Sequence, residues 1–451
     1  MSNSTSGDCH VVAVPYPGRG HVNPMMNLCK LLVSSCSNIT ITFVVTEEWL
    51  GIMGSSPKPS NITYQSIPNV IPSESIRASA YLEFLKAVNT KMEAPVEMLL
   101  DQLQLPVSAI IADTGMPWVL ALGQRKNIPV VSLWTESPSV FSVFYHFDLL
   151  TTNNHFPADL AEQGAEVINY IPGITPTRLE DLPAIFSENA KKLLPYVLNT
   201  FDAMIKTQCV IFPSFYELEP HAIDTLKSTL PFPVYCVGPL IPHNTLDSIT
   251  NDANLEYFKW LDSQPAKSVL YVSLGSFLSV SKEQMNEIVE GIRESGVRYF
   301  WVAREDTEQV QEAFGEMGLV VPWCNQLKVL CHSSVGGFLT HCGWNSTLEG
   351  VYAGVPMLTF PLLFDQTTDS KLIVDDWKIG MKVKKVATDK VVGRKEISEL
   401  VQSFMSLDGD ESKEMRRNAS KFKKTCRQAL SKGGSSEANL NALFGEILKC
   451  Q

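Results

Sequence analysis

Residues 337–350 read GFLTHCGWNSTLEG. The stretch leaves an apolar, strand-like run, VGGFLT (335–340), and enters a helical pattern, TLEGVYAG, near Ser346. His341 to Ser346 therefore form a strand-to-helix turn. Gly343 lets the backbone approach a ligand closely. Asn345 or Ser346 is expected to cap the helix, so that its first free N–H groups and the positive end of its dipole point outward. Such a turn binds phosphate, and His341, Asn345 and Ser346 add side-chain donors.

The same alternation runs outward from this turn. Towards the N-terminus, VVAV (11–14), ITITFVV (39–45), VSAIIA (107–112) and PVVSL (129–133) read as strands. Helical patterns at 24–33, 80–104 and 116–126 separate them. Near-continuous Val/Ile/Leu strands between helices imply a parallel sheet covered on both faces. The pattern breaks after VYCVGPL (234–240), where 241–254 are polar and turn-rich and read as a linker. It restarts with SVLYVSL (268–274), RYFWVA (298–303), LVVPW (319–323), VGGFLT and VPMLTF (355–360), and helices are expected at 282–295, 410–431 and 434–450. The expected fold class is α/β, with two Rossmann-like, doubly wound parallel-sheet domains facing a central cleft. The N-terminal domain is placed at 1–240, the C-terminal domain at 255–431 and a closing helix at 432–451.

The bulk numbers exclude some partners. With 45% apolar and 19% charged residues, the 451-residue chain has an ordinary globular balance. A net charge of −11 argues against nucleic acid and an anionic membrane surface. No apolar run approaches the ~20 residues of a membrane span. The start, MSNSTSGDCH, lacks the features of a signal peptide. A cytoplasmic monomer is expected. The ten cysteines are scattered without a C-x-x-C pair, which argues against a disulfide framework.

Rival chemistries fit less well. Cys324, Cys331, His332, His341 and Cys342 lie close in sequence, but their spacing matches no common zinc pattern. Gly18-x-Gly20-x-x-Asn23 resembles a dinucleotide fingerprint, with Glu47 or Glu48 ending the next strand, but it lacks the third glycine. Trp323 and Gln326 follow one strand, Glu349 lies on the first turn after the phosphate turn, and Asp365 and Gln366 follow the next strand. All belong on one rim. An aromatic plate, a phosphate cradle, an acid for a diol and a carboxylate–amide pair for further hydroxyls describe a nucleotide-sugar site.

Residues 323–366, WCNQLKVLCHSSVGGFLTHCGWNSTLEGVYAGVPMLTFPLLFDQ, resemble the signature box of plant family 1 UDP-glycosyltransferases, without a gap. GRGHVNP (18–24) and YVSLGS (271–276) extend the resemblance over nearly the whole chain. It implies a GT-B fold and transfer of a sugar, glucose by the final Gln of the box, from a UDP-sugar to a small acceptor without a metal cofactor. By the same resemblance, Trp323 stacks on uracil, Gln326 contacts the nucleoside and Glu349 holds the ribose. His341, Asn345, Ser346 and Ser276 bind the phosphates; Trp344, Asp365 and Gln366 hold the sugar. Asn325 stands where the family commonly has Pro, which predicts a less rigid turn. The stretch between Arg304 and Leu319 is shorter than in many members.

A hydroxyl acceptor must lose a proton as it attacks, and imidazole is the usual base near neutral pH. His21 sits after the first strand, on a glycine loop expected to open a helix with Pro24 in its first turn. Asp113 ends the strand VSAIIA in the same sheet and can fix the His tautomer. The family pairs a His and an Asp at these places, which assigns His21 as base and Asp113 as its partner. The plain alternative for Asp113 is a helix cap. Arg19, Phe84, Trp134, Phe144 and Tyr145 are candidate acceptor contacts, and Thr135 a candidate sugar contact. An apolar phenolic, flavonoid, terpenoid or aromatic-acid acceptor suits them. The alternative of another class is a non-catalytic nucleotide-sugar-binding protein.

Overall fold

The structure, a computed structural model, describes residues 9–54, 58–186, 188–243, 246, 256–275, 280–303, 317–383 and 391–449. It contains β1 (Cys9–Val14), β2 (Ile39–Thr46), β3 (Ile62–Ile67), β4 (Ala109–Asp113), β5 (Val130–Leu133), β6 (Val167–Ile168), β7 (Thr177–Arg178), β8 (Val210–Phe212) and β9 (Val234–Cys236). Then follow β10 (Val269–Ser273), β11 (Arg298–Val302), β12 (Gly318–Val321), β13 (Val335–Thr340), β14 (Met357–Thr359) and β15 (Gly380–Lys382). One sheet has the order β3-β2-β1-β4-β5-β8-β9 and the second β12-β11-β10-β13-β14-β15, while β6 and β7 form a small antiparallel pair. Every pairing in the two large sheets is parallel.

The apolar runs are explained by burial on both faces. In β1, Cys9, Val11 and Ala13 enter one core, and Val12 and Val14 the core on the opposite face. Successive side chains of a strand point to opposite sides, so a strand covered twice must be apolar at every position. Each buried Val contributes about 1.5–3 kcal/mol. In the same way Val269 and Tyr271 of β10 face one core of the second sheet, and Leu270 and Val272 the other. The helix Ser435–Lys449 returns to the first sheet, where Leu440, Leu443 and Ile447 join the core around Val11.

The sheets meet rim to rim. Thr367 and Thr368 hydroxyls donate to the Leu182 and Asp181 carbonyls at 2.5 and 2.9 Å, and the Ala184 N–H donates to Phe364 O at 2.9 Å. The Lys382 ammonium lies 2.5 Å from the Asp181 carboxylate, whose side chain is 2% exposed. Among the described residues no helix is long and apolar enough to cross a membrane.

Candidate active site

In both sheets the strand order reverses direction beside the first strand, between β1 and β4 and between β10 and β13. The loops at such a point diverge to opposite faces and leave a crevice at the carboxyl ends of the strands. The two crevices open into one shared cavity of about 620 Å³. Its lining includes His21, Asp113 and Thr135 from the first sheet, and Trp323, Gln326, His341, Trp344, Asn345, Ser346, Glu349, Asp365 and Gln366 from the second. Ser276 and the stretch 304–316 lie outside the described residues.

His21 and Asp113 are 92 positions apart but meet because β1 pairs with β4, Val14 beside Ala112. The imidazole Nδ1 lies 2.8 Å from Asp113 Oδ2, and the Thr135 hydroxyl lies 2.9 Å from the same nitrogen. Asp113 is 1% exposed, and its Oδ1 accepts the Gly115 N–H at 2.9 Å. Asp113 thus closes its own turn and is not the cap of the next helix, which begins at Trp118 behind Pro117. The tautomer with hydrogen on Nδ1 satisfies the carboxylate and leaves Nε2 for the cavity.

The turn that carries His21 differs from the sequence expectation. The helix begins at Arg19 behind Gly18, so His21 lies in its first turn and Pro24 inside it. A residue at position 24 would donate its N–H to Gly20 O, but proline has none. Asn345 of the second sheet takes the vacant acceptor: its Nδ2 donates to Gly20 O at 2.9 Å. The missing hydrogen bond of Pro24 is therefore replaced by one that ties the His21 turn to the opposite rim.

On that rim the helix Trp344–Ala353 is capped by Gly343, not by Asn345 or Ser346, which lie in its first turn. Glu349 correspondingly falls in the second turn. The reason is backbone geometry: Cys342 turns the chain with φ 68°, and Gly343 is extended. His341 stands between two glycines. A Cβ at Gly275 would lie 2.8 Å, and at Gly343 2.5 Å, from its Nε2. Among the described residues its buried Nδ1 has no partner of good geometry. Burial pushes its pKa down to about 4, against a smaller upward effect of a hydrogen bond to the Ser273 backbone, which favours the neutral imidazole.

At the far end Trp323 is 61% exposed and offers its ring to the cavity. Asn325 accepts the Lys328 N–H at 3.2 Å and caps the helix Gln326–Leu330, a contact worth about 1 kcal/mol. The turn is therefore held despite the missing proline. The Tyr271 hydroxyl donates to Gln326 Oε1 at 3.0 Å, and Gln326 Nε2 donates to Ser346 Oγ at 3.0 Å and Glu349 Oε2 at 2.5 Å. Burial pushes Glu349 up to about 7.

Near β14, Gln366 Oε1 accepts the Leu362 and Leu363 N–H groups at 2.8 and 3.1 Å, so its NH₂ remains to donate. Burial raises Asp365 to about 6. The carboxyls of Asp369, fully buried, and Glu136, half-buried on the cavity wall, are pushed well above the usual carboxylate range, by burial first and by Asp365 second. The Trp344 ring lies in the core beside Trp377, at 6.2 Å between centroids. Among the described residues no three His, Cys, Asp or Glu side chains form a metal-binding group.

Comparison with known proteins agrees with this geometry. Residues 164–393 match the family described as UDP-glucoronosyl and UDP-glucosyl transferase. UDP-glycosyltransferase 87A1 of Arabidopsis thaliana is 50% identical over 97% of this chain and 100% of its own length. The chain belongs to the plant family 1 UDP-glycosyltransferases. UDP-glycosyltransferase 87A2 of the same plant is also 50% identical, over 97% of this chain and 96% of its own. Among solved structures, Medicago truncatula UGT71G1 complexed with UDP-glucose superposes with a TM-score of 0.83 at 26% identity, over 99% of this chain and 100% of that one. Phytolacca americana UGT2 complexed with UDP-2fluoro-glucose and pterostilbene gives 0.81 at 27%, over 97% and 99%. The fold is GT-B.

In this UDP-glycosyltransferase the cavity wall of the first domain differs from the sequence reading. Arg19, Trp134 and Phe144 line the cavity, but Phe84 and Tyr145 do not. Phe84 is fully buried in the core of the first sheet under Arg77, and Tyr145 packs against Phe141. Adjacent helix positions differ by ~100° around the axis, so Leu85 and Phe144 face the cavity where their neighbours face the core. Tyr16, Arg77, Glu136, Leu193 and Thr200 also line it and were missed. Glu136 directly follows Thr135, and that adjacency was the one available signal.

Pro24→Ala restores an N–H that competes with Asn345 for Gly20 O. It is expected to lower kcat about fivefold, the worth of one hydrogen bond, while calorimetry finds UDP affinity unchanged. Equal kcat in variant and wild type would show that the tie does not position the His21 turn.

Proposed function

We propose that this glycosyltransferase moves glucose from UDP-glucose to a hydroxyl or carboxyl of a small, largely apolar acceptor, with inversion at the anomeric carbon. Phenolic, flavonoid, terpenoid and aromatic-acid acceptors fit the reading. The enzyme acts as a cytoplasmic monomer. The observation that carries the proposal is the His21–Asp113 pair, at 2.8 Å, on the same cavity as the diphosphate cradle. The acceptor O–H gives its proton to His21 Nε2 as its oxygen bonds to C1 of the sugar. The C1–O bond to the diphosphate breaks, and UDP departs with the electron pair. Asp113 stabilises the imidazolium. The first-turn N–H groups of Trp344–Ala353 and the His341 ring take up the charge of the leaving diphosphate, so the reading needs no metal ion. Trp323 carries the uracil, Gln326 and Glu349 the ribose, and Thr135, Asp365 and Gln366 the sugar. Acceptor-dependent UDP release from UDP-glucose, measured across the four acceptor classes, tests the reading. Binding of UDP-glucose without release on any of them would refute it.

Glu349 adds a pH signature. Ribose hydroxyls donate to its carboxylate and favour the ionised form, whereas burial by itself pushes the group up to about 7. Binding therefore releases a proton, and UDP-glucose affinity rises with pH from about 6 to 8, by up to about tenfold per unit at the acid side. Calorimetry in buffers of different ionisation enthalpy is expected to find about one proton released near pH 6, and none in Glu349→Gln. Proton release undiminished in the variant would assign it elsewhere.

A further inference from the structure

The acceptor end of the cavity does not stop at its own wall. A second cavity of about 320 Å³ lies on the outer side of the first domain, and Asn89 and Tyr196 line both. The two cavities adjoin along one helix. On Glu188–Met204, Leu193, Tyr196, Val197 and Thr200 form a stripe towards the main cavity, and Tyr196, Asn199 and Ala203 a neighbouring stripe towards the second. Tyr196 belongs to both and stands between them. Asn89 faces it from the helix Tyr81–Lys91, its Nδ2 turned back onto Leu85 O at 3.0 Å.

The second cavity has an apolar floor and a polar mouth. Pro117, Trp118, Leu120 and Ala121 make the floor. The Trp118 N–H is already bonded to Val88 O at 3.1 Å, so the indole offers only carbon surface. Asn199 and Lys206 stand at the exposed edge. Lys206 is the one charged residue of the lining and makes no ion pair among the described residues. The main cavity must hold a nucleotide-sugar as well as an acceptor, so an elongated acceptor has to extend beyond it.

We propose that this groove is a distal acceptor subsite. It takes the tail of an elongated amphipathic acceptor whose hydroxyl reaches His21, whose apolar body passes between Asn89 and Tyr196, and whose terminal carboxylate meets Lys206. The proposal rests on reading the main cavity as the acceptor site. An apolar channel ending in a lone cation selects an apolar chain ending in an anion.

The test uses ω-(4-hydroxyphenyl)alkanoic acids of increasing chain length and their methyl esters, on the full-length protein. Binding is measured by calorimetry with UDP present, and turnover by UDP release. Wild type is expected to bind the long acids more tightly than the short ones. Lys206→Glu, a surface change, raises Kd for the long acid about three- to tenfold and leaves the ester and the short acid unchanged. Asn89→Trp, which narrows the passage, raises Kd about tenfold for long probes of both kinds and less than about twofold for short ones. Equal effects of either variant on short and long probes, or affinity independent of chain length, would overturn the subsite. Binding with this pattern but without turnover would leave the subsite standing and remove the transfer reading. Turnover without the pattern would do the reverse.

Discussion

Replacing His21 with alanine is expected to lower kcat by about 10³-fold, within the 10²–10⁴ range of a positioned general base. The size follows from geometry. The imidazole is held at Nδ1 by a carboxylate 1% exposed to solvent and by the Thr135 hydroxyl, so Nε2 is presented in one orientation. Alanine removes the base and leaves a cavity that water can enter but that cannot orient it. KM for UDP-glucose is expected to change less than about twofold, because the residues assigned to the donor, Thr135 apart, lie on the other sheet. Asp113→Ala alone costs most of the same factor. Added to His21→Ala it costs little more, since the pair acts as a unit. Steady-state kinetics on the three proteins read this directly. Additive losses would mean that Asp113 acts on the reaction by a route other than the imidazole, and an unchanged kcat in His21→Ala would place the base elsewhere.

His341→Ala is expected to lower kcat/KM for UDP-glucose by about 10²-fold or more, the loss typical of one preorganised donor to a developing anion. The ring is wedged between Gly275 and Gly343 and has the Ser273 backbone beside it. Its conformation is therefore fixed before a ligand arrives. With a pKa pushed down to about 4 by burial, it acts as a neutral hydrogen-bonding group towards the diphosphate. His341→Gln keeps an N–H donor of similar reach and is expected to recover about tenfold of the loss. Alanine and glutamine variants of equal activity would show that the ring acts by filling space, and that the helix N-terminus alone holds the phosphates.

The second-sheet half of the cavity lining was legible because it is local. Trp323 to Gln366 form one continuous stretch of strand, turn, helix and strand, and its side chains reach one rim without help from distant sequence. Most interior strands were legible for the same kind of reason, since burial on both faces demands apolar residues at every position; the three-residue β8 was not read. Of the edge strands, β12 was read but β3 and β15 were not. In β3, ITYQSI, the residues between the buried ends are exposed or half-buried, and the three residues of β15 are half-buried throughout. Their composition carries little of the burial signal. Helix starts were misplaced at Arg19 and Trp344, because the caps there are Gly18 and Gly343, which offer no side chain to read.

From the sequence came two sheets and a strand-to-helix turn of the kind that binds phosphate, and from its family resemblance the expected roles of the 323–366 box and of His21 and Asp113. Each follows from a pattern that repeats along the chain or sits within a few residues of a strand end. Three features came only from the tertiary structure. Strand order set Val14 beside Ala112 and so brought His21 to Asp113. Helix rotation sent Leu85 to the cavity and Phe84 to the core. The meeting of the two rims gave Asn345 to the carbonyl that Pro24 leaves free. All three depend on how elements far apart in sequence pack, and packing is decided by the whole buried surface at once, which no single stretch of residues encodes.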